Sequence, residues 1–158
     1  MAVTGMVHFN INCSDYDRSL RFYNALGFRE VWRVPERNTA EVAAAVGMPP
    51  YRVKGALLAL EGAASPVVID LLQWLDPHDA NPPYPHLYHY GIARVALSTN
   101  DMDGDIAKLK AAGARFISEP AQMPASSGSR ARFVCFKDPD GTVLELVENA
   151  EPRSADRT

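Results

Sequence analysis

Cysteine is scarce in this chain: Cys13 and Cys135 are the only two in 158 residues, and each lies inside an apolar run. No CxxC pair and no secreted-type cysteine framework is present, which argues against a zinc ribbon or a disulfide scaffold and predicts buried thiols in a reducing compartment. An excess of charge is missing too. Sixteen Lys and Arg against nineteen Asp and Glu leave a net charge of -3, with the signs mixed along the chain and no basic stripe for a phosphate backbone, so nucleic acid is not an expected partner. No apolar run approaches the roughly 20 residues that span a bilayer, and the first residues lack the basic and apolar segments of a signal peptide. The expectation is a cytoplasmic protein with no membrane partner. What the chain does have is 47% hydrophobic residues, enough for the core of one domain without crosslinks.

The most informative feature is an internal repeat, because a repeat marks equivalent positions without outside information. VHFNINCSDYDRSLRFYNALGF, from Val7 to Phe28, aligns without a gap to ARVALSTNDMDGDIAKLKAAGA, from Ala93 to Ala114. Asp15 meets Asp101, Asp17 meets Asp103, and Gly27 meets Gly113. Each segment opens with strand-like alternation, Val7, Phe9, Ile11 and Cys13 in the first copy and Ala93, Val95, Leu97 and Thr99 in the second. An Asp-containing turn then starts a helix that a glycine ends.

The copies also end alike, VVIDLL at Val67 to Leu72 matching TVLELV at Thr142 to Val147, with Asp70 opposite Glu145. Between these ends lie candidate strands near Phe28 to Val34, Arg52 to Leu60, Arg115 to Ser118 and Arg132 to Phe136. The predicted fold is α+β: two βαβββ modules, whose curved sheets enclose a cavity, within a single domain over residues 1–149. Module one covers 6–75, a proline-stiffened linker 76–90, and module two 91–149, with a disordered polar tail at 150–158. An insertion around Pro35 to Lys54 carries a candidate short helix at Glu41 to Gly47.

A sheet covered by a helix on one face leaves its other face to line whatever the module encloses. By strand parity His8, Asp70, Arg94 and Glu145 lie on that second face, one chemistry-bearing side chain at each of four equivalent positions. His86 and His89, flanked by Tyr84, Tyr88 and Tyr90, are either linker surface or cavity mouth, which makes His89 a candidate substrate contact. Arg130 and Arg132, after the loop Ala125 to Ser129, are candidates for holding an anionic substrate group, with exposed strand arginines as the plain alternative.

The four positions, together with DPDG at Asp138 to Gly141 and the following VLELVE, resemble the vicinal oxygen chelate superfamily of glyoxalases, bleomycin-resistance proteins and extradiol dioxygenases. The resemblance covers about Met6 to Asn149. It implies metal ligands on the first and last strands of each module, hence His8, Asp70 and Glu145 around a divalent ion such as Fe, Mn, Zn, Ni or Co. Arg94 takes the fourth position, usually His, and a guanidinium has no lone pair to donate. The expected function is therefore a small-molecule enzyme performing metal-assisted isomerase, lyase or dioxygenase chemistry on an oxygenated substrate. Glu145 and Arg94 are its candidate catalytic groups, and Arg94, Arg132 and His89 its candidate substrate contacts. In the alternative, Arg94 neutralises the carboxylates and the enzyme is metal-free, or the chain sequesters a ligand as bleomycin-resistance proteins do. The resemblance also implies a homodimer.

Overall fold

The computed structural model describes residues 5–63, 67–124 and 130–149, and the chain divides into two compact units, Met1–Asn81 and Pro82–Thr158. The division falls inside the segment 76–90. The loop at 125–129 and the tail at 150–158 lie outside the described residues.

In the first unit the order is β1 (Phe9–Asn12), α1 (Tyr16–Ala25), β2 (Phe28–Val34), α2 (Ala40–Ala45), β3 (Arg52–Leu60) and β4 (Val68–Asp76). The helix α1 starts where the repeat predicts. Asp15 is its N-cap, its carboxylate accepting the Arg18 N–H at 2.9 Å, which satisfies one of the orphan donors of the first turn. Gly27, at φ 95°, carries the chain out of the helix in a conformation that disfavours a side chain.

The strands pair in the order β1-β4-β3-β2, β1 parallel to β4 and the rest antiparallel. Residues opposite each other in a ladder share a face, so the register sorts the side chains. One face carries the rows Phe9–Ile69–Leu58–Glu30 and Ile11–Leu71–Ala56–Arg33. Ile11, Ala56, Leu58, Ile69 and Leu71 are buried there, as are Tyr16, Phe22 and Tyr23 of α1. Each large side chain so buried contributes about 1.5–3 kcal/mol. The other face carries Asn10–Asp70–Leu57–Trp32 and Asn12–Leu72–Gly55–Val34.

A register shift between Glu30 and Trp32 makes this sorting work in β2. The extra residue puts both Glu30 and Arg33 on the helix side, where the Tyr16 hydroxyl donates to Glu30 at 2.8 Å and Arg33 pairs with the same carboxylate at 2.8 Å. Burial, with the Glu30 contact behind it, pushes the Tyr16 phenol well above its usual range, so it stays a donor.

Gly55 marks a close approach across β3 and β4. A Cβ there would lie 2.3 Å from the Leu71 carbonyl oxygen and 2.5 Å from Leu72 Cδ2, and a paired backbone oxygen cannot retreat cheaply. Gly55→Ala is expected to destabilise the fold by about 2–3 kcal/mol, read as a lowered urea midpoint at unchanged m-value. An unchanged midpoint would refute the close approach.

The second unit repeats the plan with β5 (Val95–Ser98), α3 (Met102–Ala111), β6 (Arg115–Phe116), β7 (Ala121–Pro124), β8 (Arg130–Lys137) and β9 (Val143–Asn149). The order is β5-β9-β8-β6, with β7 also paired to β8, and β5 runs parallel to β9. Asp101 caps α3 by accepting the Gly104 N–H at 3.0 Å, the counterpart of Asp15. Met102 and Leu109 of α3 are buried with Val134, Phe136, Leu144 and Leu146 of the sheet.

Three details differ from the sequence reading. The strand predicted near Arg115 to Ser118 ends at Phe116, and an unforeseen strand, β7, follows on the same edge of β8; Pro120 between them has no N–H to continue a ladder. The first strand begins at Phe9, with Val7 77% exposed rather than packed on the apolar face. The short helix spans Ala40–Ala45, capped by Thr39, rather than 41–47.

Candidate functional site

His8 and Arg94 each stand one residue before the first strand of their unit, and both are exposed. The same registers place their partners: Asn10 lies opposite Asp70, and Ala96 opposite Glu145. Asp70 and Glu145 therefore occupy one position of the repeat, each flanked on its own strand by buried residues, Ile69 and Leu71 in one case and Leu144 and Leu146 in the other.

Their surroundings are opposite in kind. One oxygen of the half-buried Asp70, Oδ1, is closed off from solvent and meets no hydrogen-bond donor among the described residues. Burial pushes the Asp70 carboxyl above the usual carboxylate range, with the His8 charge pulling the other way. An unpaired buried acceptor costs about 1–3 kcal/mol, a cost that protonation of the carboxyl lowers.

Glu145 is buried, 8% exposed, and engaged. Arg94 Nε lies 2.6 Å from its Oε2, and the Cys135 thiol donates to the same oxygen at 3.4 Å. Cys135 stands directly opposite Glu145 in the β8–β9 ladder. Burial, then the hydrogen bond to Glu145, raises the thiol's pKa, which keeps Cys135 protonated and a poor nucleophile. Arg94 itself is 45% exposed on its side chain and has no other partner among the described residues. Its guanidinium is thus held from one side and open on the other.

The donor set fits a metal poorly as it stands. Arg94 offers no lone pair, and the Glu145 oxygen that would bind a divalent ion already faces a permanent cation, whose repulsion of such an ion is on the order of several kcal/mol near a protein surface. Only His8 and Asp70 are left as free donors. Among the described residues no three or more His, Cys, Asp or Glu side chains come together as a metal-holding group.

The other candidates are placed elsewhere. Arg132 lies opposite Glu148 and pairs with it at 3.1 Å and with Asp103 of α3 at 2.7 Å, on the helix side of its sheet. His89 lies in the exposed segment after Pro82, its ring stacked on Tyr84 at 5.1 Å and on His86 at 5.7 Å. DPDG is a turn: Asp138, fully buried, accepts the N–H groups of Asp140, Gly141 and Thr142 at 3.0, 2.8 and 2.8 Å. Cys135, expected with Cys13 as a buried thiol, is only half-buried and stands opposite Glu145, and Trp32, also on an open face, was not singled out from the sequence. Their strands were legible, but which residue of β8 or β2 lies opposite Glu145 or Leu57 depends on ladder register and on a bulge.

Two units that each run from a strand through a helix into further strands, the first strand parallel to the last, match the glyoxalase-like class of α+β proteins. The model of the Glyoxalase/Bleomycin resistance protein/Dioxygenase superfamily matches residues 5–146, and the chain belongs to that superfamily. Among solved structures it is similar to a glyoxalase family protein from Bacillus cereus, at 21% identity over 94% of this chain and 98% of that one, with a TM-score of 0.79. It is also similar to a glyoxylase/bleomycin resistance protein/dioxygenase domain from a Frankia species, at 20% identity, 95% of each chain and a TM-score of 0.64. A glyoxalase family protein from Enterococcus faecalis aligns at 23% identity over 94% of this chain and 100% of that one, with a TM-score of 0.59. At such identities the likeness establishes the fold alone. No curated protein matches this chain.

Proposed function

We propose that the chain is a small-molecule enzyme in which Asp70 of the first unit is an acid/base group that moves a proton next to a carbonyl or enol oxygen, and Arg94 of the second unit is a cation for an anionic substrate oxygen. The observation that carries this reading is the contrast at one repeat position, an unpaired desolvated carboxyl at Asp70 against a cation-bound one at Glu145. A desolvated carboxyl with no cation beside it suits proton transfer, and a carboxylate bound to an arginine suits placing that cation. Asp70 can hold or release a proton nearer neutral pH than an exposed carboxyl. Glu145, with the Cys135 thiol behind it, aims Arg94 and serves as a positioning residue. Isomerase and lyase chemistry fit these roles directly.

A second reading has its own support. His8 lies within electrostatic reach of Asp70, and the two side chains would offer two donors to a divalent ion, which would supply Lewis-acid chemistry at the substrate oxygen. A homodimer belongs to the proposal as well, supported by the exposure of Tyr88 (82%), Tyr90 (99%) and Ile92 (73%), and light scattering on the eluting peak checks it.

Deuterium wash-in at carbon next to a carbonyl, followed by NMR on a panel of small 2-oxo and 3-oxo acids and hydroxyketones, tests the chemistry. Chelator-stripped protein is expected to catalyse exchange, and Asp70→Ala to slow it by about 10²–10⁴-fold, the usual contribution of a positioned acid/base group. Exchange that returns only with added metal and vanishes in His8→Ala would transfer the reaction to the second reading. Ligand binding without exchange under either condition would make the chain a sequestering protein.

A further inference from the structure

The two units carry different charge at one equivalent pair of positions. The alignment that matches Gly27 with Gly113 also matches Arg29 of β2 with Arg115 of β6. Leu57 and Cys135 correspond because they stand opposite Asp70 and Glu145, which sets Ala59 against Lys137 and Glu61 against Pro139. The ladders agree, since Arg29 pairs with Ala59 and Arg115 with Lys137. In the first unit the arginine is satisfied: its guanidinium donates to the carbonyl oxygens of Asn24 and Phe28 at 2.8 Å each and pairs with Glu61 at 3.5 Å. In the second unit a lysine stands in the place of that alanine and a proline in the place of that glutamate. Two cations therefore share one face, directly opposite each other, where Cβ atoms lie about 4.5–5.5 Å apart. Neither side chain has a hydrogen bond or an ion pair among the described residues. Acidic side chains beside them in the ladder are committed, Glu145 to Arg94 at 2.6 Å and Asp138 to three N–H groups of its own turn.

We propose that Arg115 and Lys137 form a binding site for a phosphate group at the edge of the second sheet. Like charges directly opposite in a ladder destabilise it, and a bound anion supplies the counter-charge that Glu61 supplies in the first unit. Two cations match the nearly two negative charges that a phosphate group carries at neutral pH. The guanidinium offers a fork of donors to two oxygens, and the ammonium adds a compact point charge. The site is open to a ligand: Arg115 is exposed at the start of β6, which pairs only with β8 among the described strands. Its Nη2 lies 3.9 Å from where a Cβ on Gly141 would stand, so the bare backbone of the turn leaves room beside the charge. This site is independent of the acid/base reading of Asp70.

Calorimetry on the full chain with inorganic phosphate, methyl phosphate and acetate at matched ionic strength reads the site. Phosphate is expected to bind saturably, and acetate, with a single charge, about tenfold more weakly. Arg115→Gln and Lys137→Gln should each weaken phosphate about tenfold, whereas Arg29→Gln at the equivalent ladder position should leave it unchanged. Methyl phosphate bound as tightly as phosphate would identify the phosphoryl group of a larger ligand as the natural occupant, and much weaker binding would identify the free anion. Both glutamine variants at the site remove a like-charge contact, so their thermal midpoints without phosphate should equal or exceed that of the native chain. The rise that phosphate gives the native chain should be absent from them. Phosphate binding that is absent, no tighter than that of acetate, or untouched by both variants overturns the site. A lowered midpoint in both variants without phosphate overturns it too, because the cations would then serve the fold.

Discussion

Asp70→Asn is expected to lower turnover by about 10²–10⁴-fold, the usual contribution of a positioned acid/base group, while making the folded chain more stable at neutral pH. The sign follows from burial. The folded-state pKa of Asp70 is raised above its unfolded value, so the stability associated with its proton is fully present below the ordinary carboxylate pKa and is lost as pH rises through the folded value. At pH 7 the native chain therefore bears the cost of a desolvated, unpaired charge, which a neutral amide of the same shape does not. The variant's thermal midpoint should exceed that of the native chain at pH 7, and the advantage should shrink as pH falls toward 4. Parallel melts across that range check it. A variant destabilised at pH 7 would show that Asp70 acts as a structural acceptor, and the assignment of acid/base chemistry would fall with it. A group that costs stability where it works is the usual mark of a functional site.

The second large effect concerns folding rather than chemistry. Asp138 sits fully buried in the β8–β9 turn and accepts three consecutive backbone N–H groups, with Gly141 at φ 104° completing the reversal. Asp138→Ala leaves those donors without their acceptor, and hydrogen bonds to a charged group are worth about 1.5–3 kcal/mol each. Allowing for rehydration of part of the turn, a net loss of about 3–5 kcal/mol is expected. For a chain of this length that lowers the thermal midpoint by roughly 10 °C. Asp138→Asn keeps an acceptor oxygen in place and should recover most of it. Melting curves by circular dichroism read both; a loss below about 1 kcal/mol in the alanine variant would show that the turn is held by its backbone alone.

These two aspartates show how unevenly the site was legible. The DPDG motif was visible as a marker of the superfamily, yet its role is that of a turn, which becomes apparent only when the three N–H groups are seen to converge on one oxygen. Asp70 and Glu145 were found together by comparing the two halves, because equivalent strands must repeat their parity. Parity gave them the same role. Arg94 and Cys135 approach only Glu145, and nothing in either repeat states that, so two residues expected as like ligands differ in charge environment. Arg132 stood out as an anion-binding candidate by residue type alone, and the ladder turns it to the helix side to meet Asp103 and Glu148.

The sequence by itself determined the α+β plan, the pairing of two modules, the capped helices after Asp15 and Asp101, and the strand positions of Asp70 and Glu145. All of these are written in local periodicity, cap residues and their repetition 75 to 86 residues later, signals that survive without knowledge of any distant contact. Tertiary structure decided where β1 begins, how the edge beside β8 breaks into β6 and β7, and which side chains meet on each open face. Those outcomes depend on ladder register, and a single bulged residue in β2 was enough to send Glu30 and Arg33 to the helix and Trp32 to the side of Asp70.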